Sequence, residues 1–307
     1  PDHDHGQRGR PAPDLAGLAR PGRKARMNRR VLRRWISNAM VGLMLLAVVI
    51  AVLPLFFILA NLVIKGAGSL SVGFFTRMPV PVGETGGGVA HAIVGTLIIV
   101  GMASLVGLPL GIGAGIYCAE YPGTRLAKIT RFLSDVMNGT PSIVVGVFAW
   151  TLIVARMKHF SALAGSAALA ILMIPMVMRT TEELIKLVPH SLREAALALG
   201  YPRWRTTLQI ILRTALPGIV TGSLLSVARV AGETAPLLFT ALGSQYLGFD
   251  VLQPMAALPL TVYQYATGPY EEWHQFAWAA ALVLILVVLV LSVGARLATR
   301  RRFNLNG

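Results

Sequence analysis

Arg179 to Trp204 reads RTTEELIKLVPHSLREAALALGYPRW, a stretch of helix-forming residues too polar to cross a bilayer. It belongs to a connection, residues 179–215, that is long for an unstructured link between two apolar runs. Leu192, Ala195, Ala196 and Leu199 recur at i, i+3, i+4 and i+7, an apolar stripe on one helix face. Gly200 follows as a helix-ending residue, and Pro202 suits the start of a new helix. The spacing predicts a short helix, a sharp turn and a second helix leading into the next apolar run. One side of that short helix is left wanting a partner.

Outward from this segment lie six apolar stretches, at about 38–60, 92–118, 136–155, 160–178, 216–241 and 275–297. Each is long enough to cross a hydrocarbon core ~30 Å thick as a helix. Composition agrees: 55% of the 307 residues are hydrophobic and only 13% charged, which points to an all-α polytopic membrane protein. The net charge of +15 raises nucleic-acid binding. Its distribution argues against that, because the basic residues sit at the ends of apolar runs, where they act as topology signals. Arg29, Arg30, Arg33 and Arg34 precede span one, and Arg125, Lys128 and Arg131 follow span two. Lys186, Arg193, Arg203, Arg205 and Arg213 follow span four, and Arg300, Arg301 and Arg302 close the chain. The alternate loops are poor in such residues, so both termini are expected in the cytoplasm of a multi-pass protein.

The expected layout is a disordered basic arm over 1–26, an interfacial amphipathic helix over 27–37, a six-helix domain over 38–298 and a basic tail over 299–307. The arm is rich in Pro, Gly and Arg and lacks apolar periodicity. Its charge suits anionic lipid headgroups. In the interfacial helix Val31, Leu32, Trp35 and Ile36 oppose four arginines. The apolar run behind the arm is too long for a secretory signal and reads as an uncleaved anchor. Asn138, Gly139 and Pro141 make the start of span three irregular. Gly107, Gly111 and Gly115 smooth one face of span two for a close neighbour. The outer-loop aromatics Phe74, Phe75, Tyr263, Tyr265, Tyr270 and Trp273 read first as interface anchors, with docking of an external protein as the second option.

Span five carries the chemistry. Ser226 to Ala241 reads SVARVAGETAPLLFTA, with Arg229 and Glu233 four apart, a spacing that permits a mutual salt bridge on one helix face. Each alone would cost at least ~2.5 kcal/mol at the bilayer centre, so such residues face a cavity and serve a pathway. Pro236 cannot donate to the carbonyl of Gly232, which makes a helix break beside the pair. The guanidinium offers a forked donor set to an oxyanion, while Glu233 limits how tightly the anion is trapped. Arg179 closes span four, where by spacing it is equally a path residue or a snorkelling arginine.

Several chemistries find no support in the residues. No Gly-Lys dipeptide occurs, so the chain has no P-loop. Gly86 to Gly88 is an outer loop without a following lysine. The single Cys118 excludes an intramolecular disulfide and a cysteine metal cluster, and His3, Asp4 and His5 read as solvated. His91, His159, His190 and His274 are scattered, no nucleophile-base pair is evident, and neither a catalytic nor a metal site is expected.

Glu194-Ala195-Ala196, three residues and then Gly200 resemble the EAA loop of binding-protein-dependent ABC importers, whose cytoplasmic helix seats in a groove of the ATPase subunit. In that family an Ile-x-Leu-Pro follows; here Ile210 and Leu212 fit, Arg213 stands at the proline position, and Leu216-Pro217 comes four residues later. Pro217 is then a second candidate helix break. The quoted run, the Arg229 motif and NGTPSIVVG at Asn138 to Gly146 are together similar to the PstA-type permease family of phosphate ABC importers, from about Ala90 to the C-terminus. No counterpart is recognised for the arm before Met27. The resemblance implies a type I importer permease fold in a bacterial inner membrane, with Glu194, Ala195, Ala196 and Gly200 as the ATPase-coupling loop. It implies a phosphate path using Arg229, Glu233 and Arg179. It implies a second homologous permease subunit, two ATPase subunits that use the ATP, and an extracytoplasmic phosphate-binding protein. The alternatives are a permease for another oxyanion or small polar solute, an ion-coupled carrier or channel, and a non-transporting scaffold.

Overall fold

The computed structural model describes residues 23–81, 83–84 and 86–304, with side chains from 32 to 294 within those stretches. His3, Asp4, His5 and the expected disorder up to residue 22 lie outside the described residues. Those residues form helices and no strand. Two compact units divide at Ala60 and Asn61. The first is helical from Arg23 onward, and every side chain from 32 to 59 is exposed. A helix apolar all round is a membrane helix, because only lipid tails or another apolar surface can solvate it. This helix, α1, runs without interruption from Arg23 to Ala67. The sequence suggests an interfacial helix followed by a span, yet nothing between them breaks the backbone: the stretch lacks glycine before Gly42 and proline before Pro54.

In the second unit α2, Val72–Thr76, is a single turn capped by Ser71. The span helices are α3, Ala90–Glu120; the pair α4, Arg125–Gly139, and α5, Ser142–Met157; α6, Ala162–Lys186; α8, Arg203–Ala231; and α11, Glu271–Asn304. Between them stand α7, His190–Ala198; α9, Ala235–Thr240; and α10, Leu258–Ala266. Among the described residues five helices are long and apolar enough to cross a membrane, six if α4 and α5 count as one broken span. Span three is that broken one. Its halves meet at 107° across Thr140 and Pro141, because a residue before proline is pushed out of the helical region.

Parallel packing of α3 on α6 makes the centre of the unit. A Cβ on Gly107 would lie 3.1 Å from Met173 Sδ, one on Gly111 2.8 Å from Val177, and one on Gly115 2.6 Å from the Met178 carbonyl. The three glycines thus bring two backbones together, as their spacing predicts. Ile99, Leu169, Met173, Val177 and Leu237 fill the core beside them. Gly222 of α8 packs on Thr180, and Gly218 on Leu184, so α8 runs antiparallel to α6. Gly146 of α5 is pressed against Pro236, which holds the broken span onto α9.

Spans four and five differ from their expected limits. Helix α6 continues eight residues past 178 to Lys186, because its polar last turns are held by ion pairs described below. Span five ends at Ala231 instead of 241; Gly232, Glu233 and Thr234 form a link, and Pro236 sits in the first turn of α9. Pro217 lies inside the regular part of α8, Leu212–Ala231, and breaks nothing. The irregularity comes earlier, as a widened π turn over Thr206–Ile211. One of the outer aromatics is no anchor, since Phe74 is buried 5.5 Å from Phe276, while the half-buried Tyr265 packs 5.5 Å from Trp273.

Candidate functional site

The helix hairpin between spans four and five forms as its residues dictate. Helix α7 ends at Ala198, Gly200 takes a φ of +83° that a residue with a Cβ rarely adopts, and Pro202 precedes the first turn of α8. Ala196 is buried, whereas Glu194, Ala195, Leu192 and Leu199 are exposed, so most of the apolar stripe is left uncovered. One side chain clamps this helix to the bundle. Arg193 Nη1 donates to Glu120 Oε1 at 2.6 Å, joining α7 to the last residue of α3.

The same end of the bundle holds a charge knot. Glu182 of α6 is 0% exposed, and its Oε1 accepts from Arg131 Nε at 2.6 Å and from Lys186 Nζ at 2.5 Å. Arg131, on α4, also donates to the carbonyls of Cys118 and Pro122, so one guanidinium ties α3, α4 and α6 together. Ser134 adds a bond from α4 to the Pro175 carbonyl. Arg179 stands beside this knot without closing a hydrogen bond. Its nitrogens lie 3.7 Å from Glu182 Oε2, 3.7 Å from Glu183 and 3.8 Å from Asp135, and the side chain is 42% exposed. Glu182 Oε2 is left with no hydrogen-bond donor. Arg179 is therefore held loosely among three carboxylates, two turns inside the helix end.

Arg229 and Glu233 lie deeper. Gly222 packs on Thr180, and the Ser161 N–H at the head of α6 bonds to the Thr240 carbonyl. Between those fixed points Arg229 falls level with the middle of α6, roughly 9 Å further in than Arg179 at 1.5 Å per residue. Arg229 is exposed and Glu233 half-buried, and neither joins an ion pair among the described residues. The mutual salt bridge is absent because the helix stops at Ala231, which takes Glu233 off the arginine's face.

Two constellations escaped the sequence reading. Glu182 was legible as the i+3 neighbour of Arg179 and the i−4 neighbour of Lys186, but its link to Arg131 spans 51 residues. Arg131 and Arg193 read as topology signals, and each also makes a buried or half-buried pair. The second is a cavity of about 580 Å³ at the opposite end of the bundle, lined by His91, Ser244, Gln245, Thr261, Gln264 and Trp273 among others. Tyr265, also on its wall, stays neutral, since burial pushes its phenol above the ordinary value.

Known proteins share the sequence or the fold of this chain. Residues 111–304 match the family described as binding-protein-dependent transport system inner membrane component. The phosphate transport system permease protein PstA of Yersinia pestis is 46% identical over 274 residues, covering 89% of this chain and 93% of that protein. Phosphate transport system permease protein PstA 1 of Mycobacterium tuberculosis is 38% identical over 303 residues, covering 95% and 99%. The likeness thus begins well before Ala90 and reaches into the stretch preceding Met27. A solved bacterial alginate ABC transporter, in complex with a pentasaccharide-bound periplasmic protein, is similar in fold: TM-score 0.57, 17% identity, 89% of this chain and 96% of that one.

Proposed function

The chain belongs to the binding-protein-dependent transport inner membrane components, and within them to the phosphate permeases of PstA type; from that premise we propose how it moves its cargo. It is a multi-pass subunit of the inner membrane with the type I importer permease fold. It is the membrane-spanning permease through which inorganic phosphate is imported, and its work is transport. Both termini face the cytoplasm, so the Glu182 knot and α7 lie on the inner side and the cavity at His91 on the outer side.

The single observation that carries the path is Arg229. A guanidinium exposed at mid-depth on a spanning helix, with no counter-charge among the described residues, would cost ~2.5–3.5 kcal/mol against lipid. It is stable where a second homologous permease subunit encloses water against the same face. There it offers two parallel N–H groups to a phosphate. Glu233, in the link after Ala231, keeps the anion from settling, and Arg179 takes it next, released from loose contact with Asp135, Glu182 and Glu183. Two ATPase subunits drive the cycle by gripping α7 through Glu194, Ala195, Ala196 and Gly200, and an extracytoplasmic phosphate-binding protein delivers the cargo. Because Arg193 fastens α7 to Glu120, a push on α7 reaches α3 directly.

Uptake of labelled phosphate into vesicles carrying the assembled importer tests this. Uptake requires ATP and is suppressed by unlabelled phosphate but not by sulfate or molybdate. Suppression by all three would indicate a general oxyanion permease, and uptake by this chain alone without ATP would indicate a self-sufficient carrier.

A further inference from the structure

Helices α4 and α6 meet along one seam, and two arginines on it are treated differently. Arg131 and Asp135 stand one turn apart on α4, while Arg179, Glu182, Glu183 and Lys186 share a face of α6 at i, i+3, i+4 and i+7. Arg131 closes on Glu182 at 2.6 Å and is 21% exposed. Arg179 only approaches Asp135, at 3.8 Å, and Glu183, at 3.7 Å, and both carboxylates are more than half exposed. The backbone at Asp135 is nevertheless fixed in front of α6. Arg131, four residues before it, is bonded to Glu182, and Ser134, one residue before it, donates to the Pro175 carbonyl. Asp135 is thus presented to Arg179 by a pinned helix, and the looseness lies in the side chains.

Charge balance sets Arg179 apart from Arg229. Around Arg179 the carboxylates of Asp135, Glu182 and Glu183 are already matched by Arg131, Lys186 and Arg179 itself. An anion drawn there brings an excess of negative charge. Arg229 joins no ion pair among the described residues, so the same anion supplies a charge that is missing. Glu182 adds a restoring force. Its Oε2 is buried without a hydrogen-bond donor, and Arg179 Nη1 stands 3.7 Å from it. Turning Arg179 fully towards an anion takes that cation from a buried oxygen, which is unfavourable and draws the guanidinium back.

We propose that Asp135 and Glu183 are release residues of the path: their carboxylates compete with phosphate for the Arg179 guanidinium and expel it to the cytoplasm. The proposal rests on the phosphate-path reading above. Cargo handed down from Arg229 displaces the two carboxylates for a short dwell, and their return to Arg179 clears it. The same competition opposes refilling from inside, because an anion must first separate Arg179 from its neighbours, which lowers its apparent affinity. Asp135 and Glu183 thereby give the inner end of the path its outward bias without touching the ATPase-coupling loop.

The test uses the assembled importer in sealed vesicles that hold ATP and a series of unlabelled phosphate concentrations, with labelled phosphate supplied outside. Initial uptake is read against internal phosphate. In Asp135→Asn the internal concentration that halves uptake falls about fivefold, the upper worth of an exposed ion pair, while the half-saturating external phosphate does not move. Glu183→Gln, on the other helix, shifts it in the same direction, and Asp135→Glu, which keeps the charge, restores the unmodified value. A loss of folded importer scales every rate alike and leaves that concentration where it was. An unchanged value in both Asp135→Asn and Glu183→Gln, or an equal fall in Asp135→Glu, would overturn the release role. ATP-dependent uptake by the unmodified importer separates the failures: uptake with unshifted variants removes this role alone, and absent uptake removes the import reading.

Discussion

Glu182 and Glu233 are both carboxylates carried near or within apolar spans, and the protein treats them oppositely. Glu182 is fully buried, with two cations on one oxygen and its arginine partner bonded in turn to two carbonyls. Glu233 sits half-buried in a break between helices, and the nearby Arg229 is exposed without a counter-charge among the described residues. A charge satisfied from within its own chain holds helices together. A charge left unpaired at mid-depth is stable only if something outside the chain completes it, which is the condition for a pathway shared with a second subunit.

The largest expected effect falls on the buried knot. Arg131→Leu leaves a buried carboxylate short of its partner and lowers stability by about 3–5 kcal/mol, read as thermal unfolding in detergent. Arg131→Leu with Glu182→Leu regains most of the loss; a double variant no better than the single one would mean that Glu182 does more than balance charge. Next comes the unpaired site. Arg229→Gln lowers phosphate uptake roughly tenfold to hundredfold, the value of a charge-assisted contact, while thermal stability and assembly stay unchanged. If stability falls with uptake, the contrast between the two regions disappears. Gly111→Val forces a Cβ into Val177 and costs about 1–3 kcal/mol of stability, with uptake following the folded fraction. Glu233→Gln has the smallest effect, a change in turnover of about threefold or less, because no ion pair is lost. A collapse in Glu233→Gln as deep as that in Arg229→Gln would show that the two act as a unit.

The helix hairpin of the coupling segment, the glycine face of α3 and the irregular entry to span three follow from residues close together in the chain, and all three are present. The Arg229–Glu233 salt bridge failed for a local reason with a tertiary cause. A Gly-x-x-x-Pro run tolerates either a bent helix or a full break, and the pressing of Pro236 onto Gly146 of α5 accompanies the break. His91 illustrates the other limit. In the sequence it is one of several scattered histidines, and only the fold sets it in one cavity with residues between Gly243 and Tyr265.

From sequence alone came the membrane solvent, the number of apolar runs, the expected orientation and the coupling hairpin. Each rests on hydropathy, charge placement or backbone preference within a few turns of chain, quantities that do not depend on what lies across the bundle. Only the tertiary structure decided which charges are paired. Arg131 reaches Glu182 across 51 residues and Arg193 reaches Glu120 across 73, partners that no local spacing announces. A salt bridge is made where packing brings two side chains within about 4 Å, and that separation is a property of the assembled helices, not of any one of them.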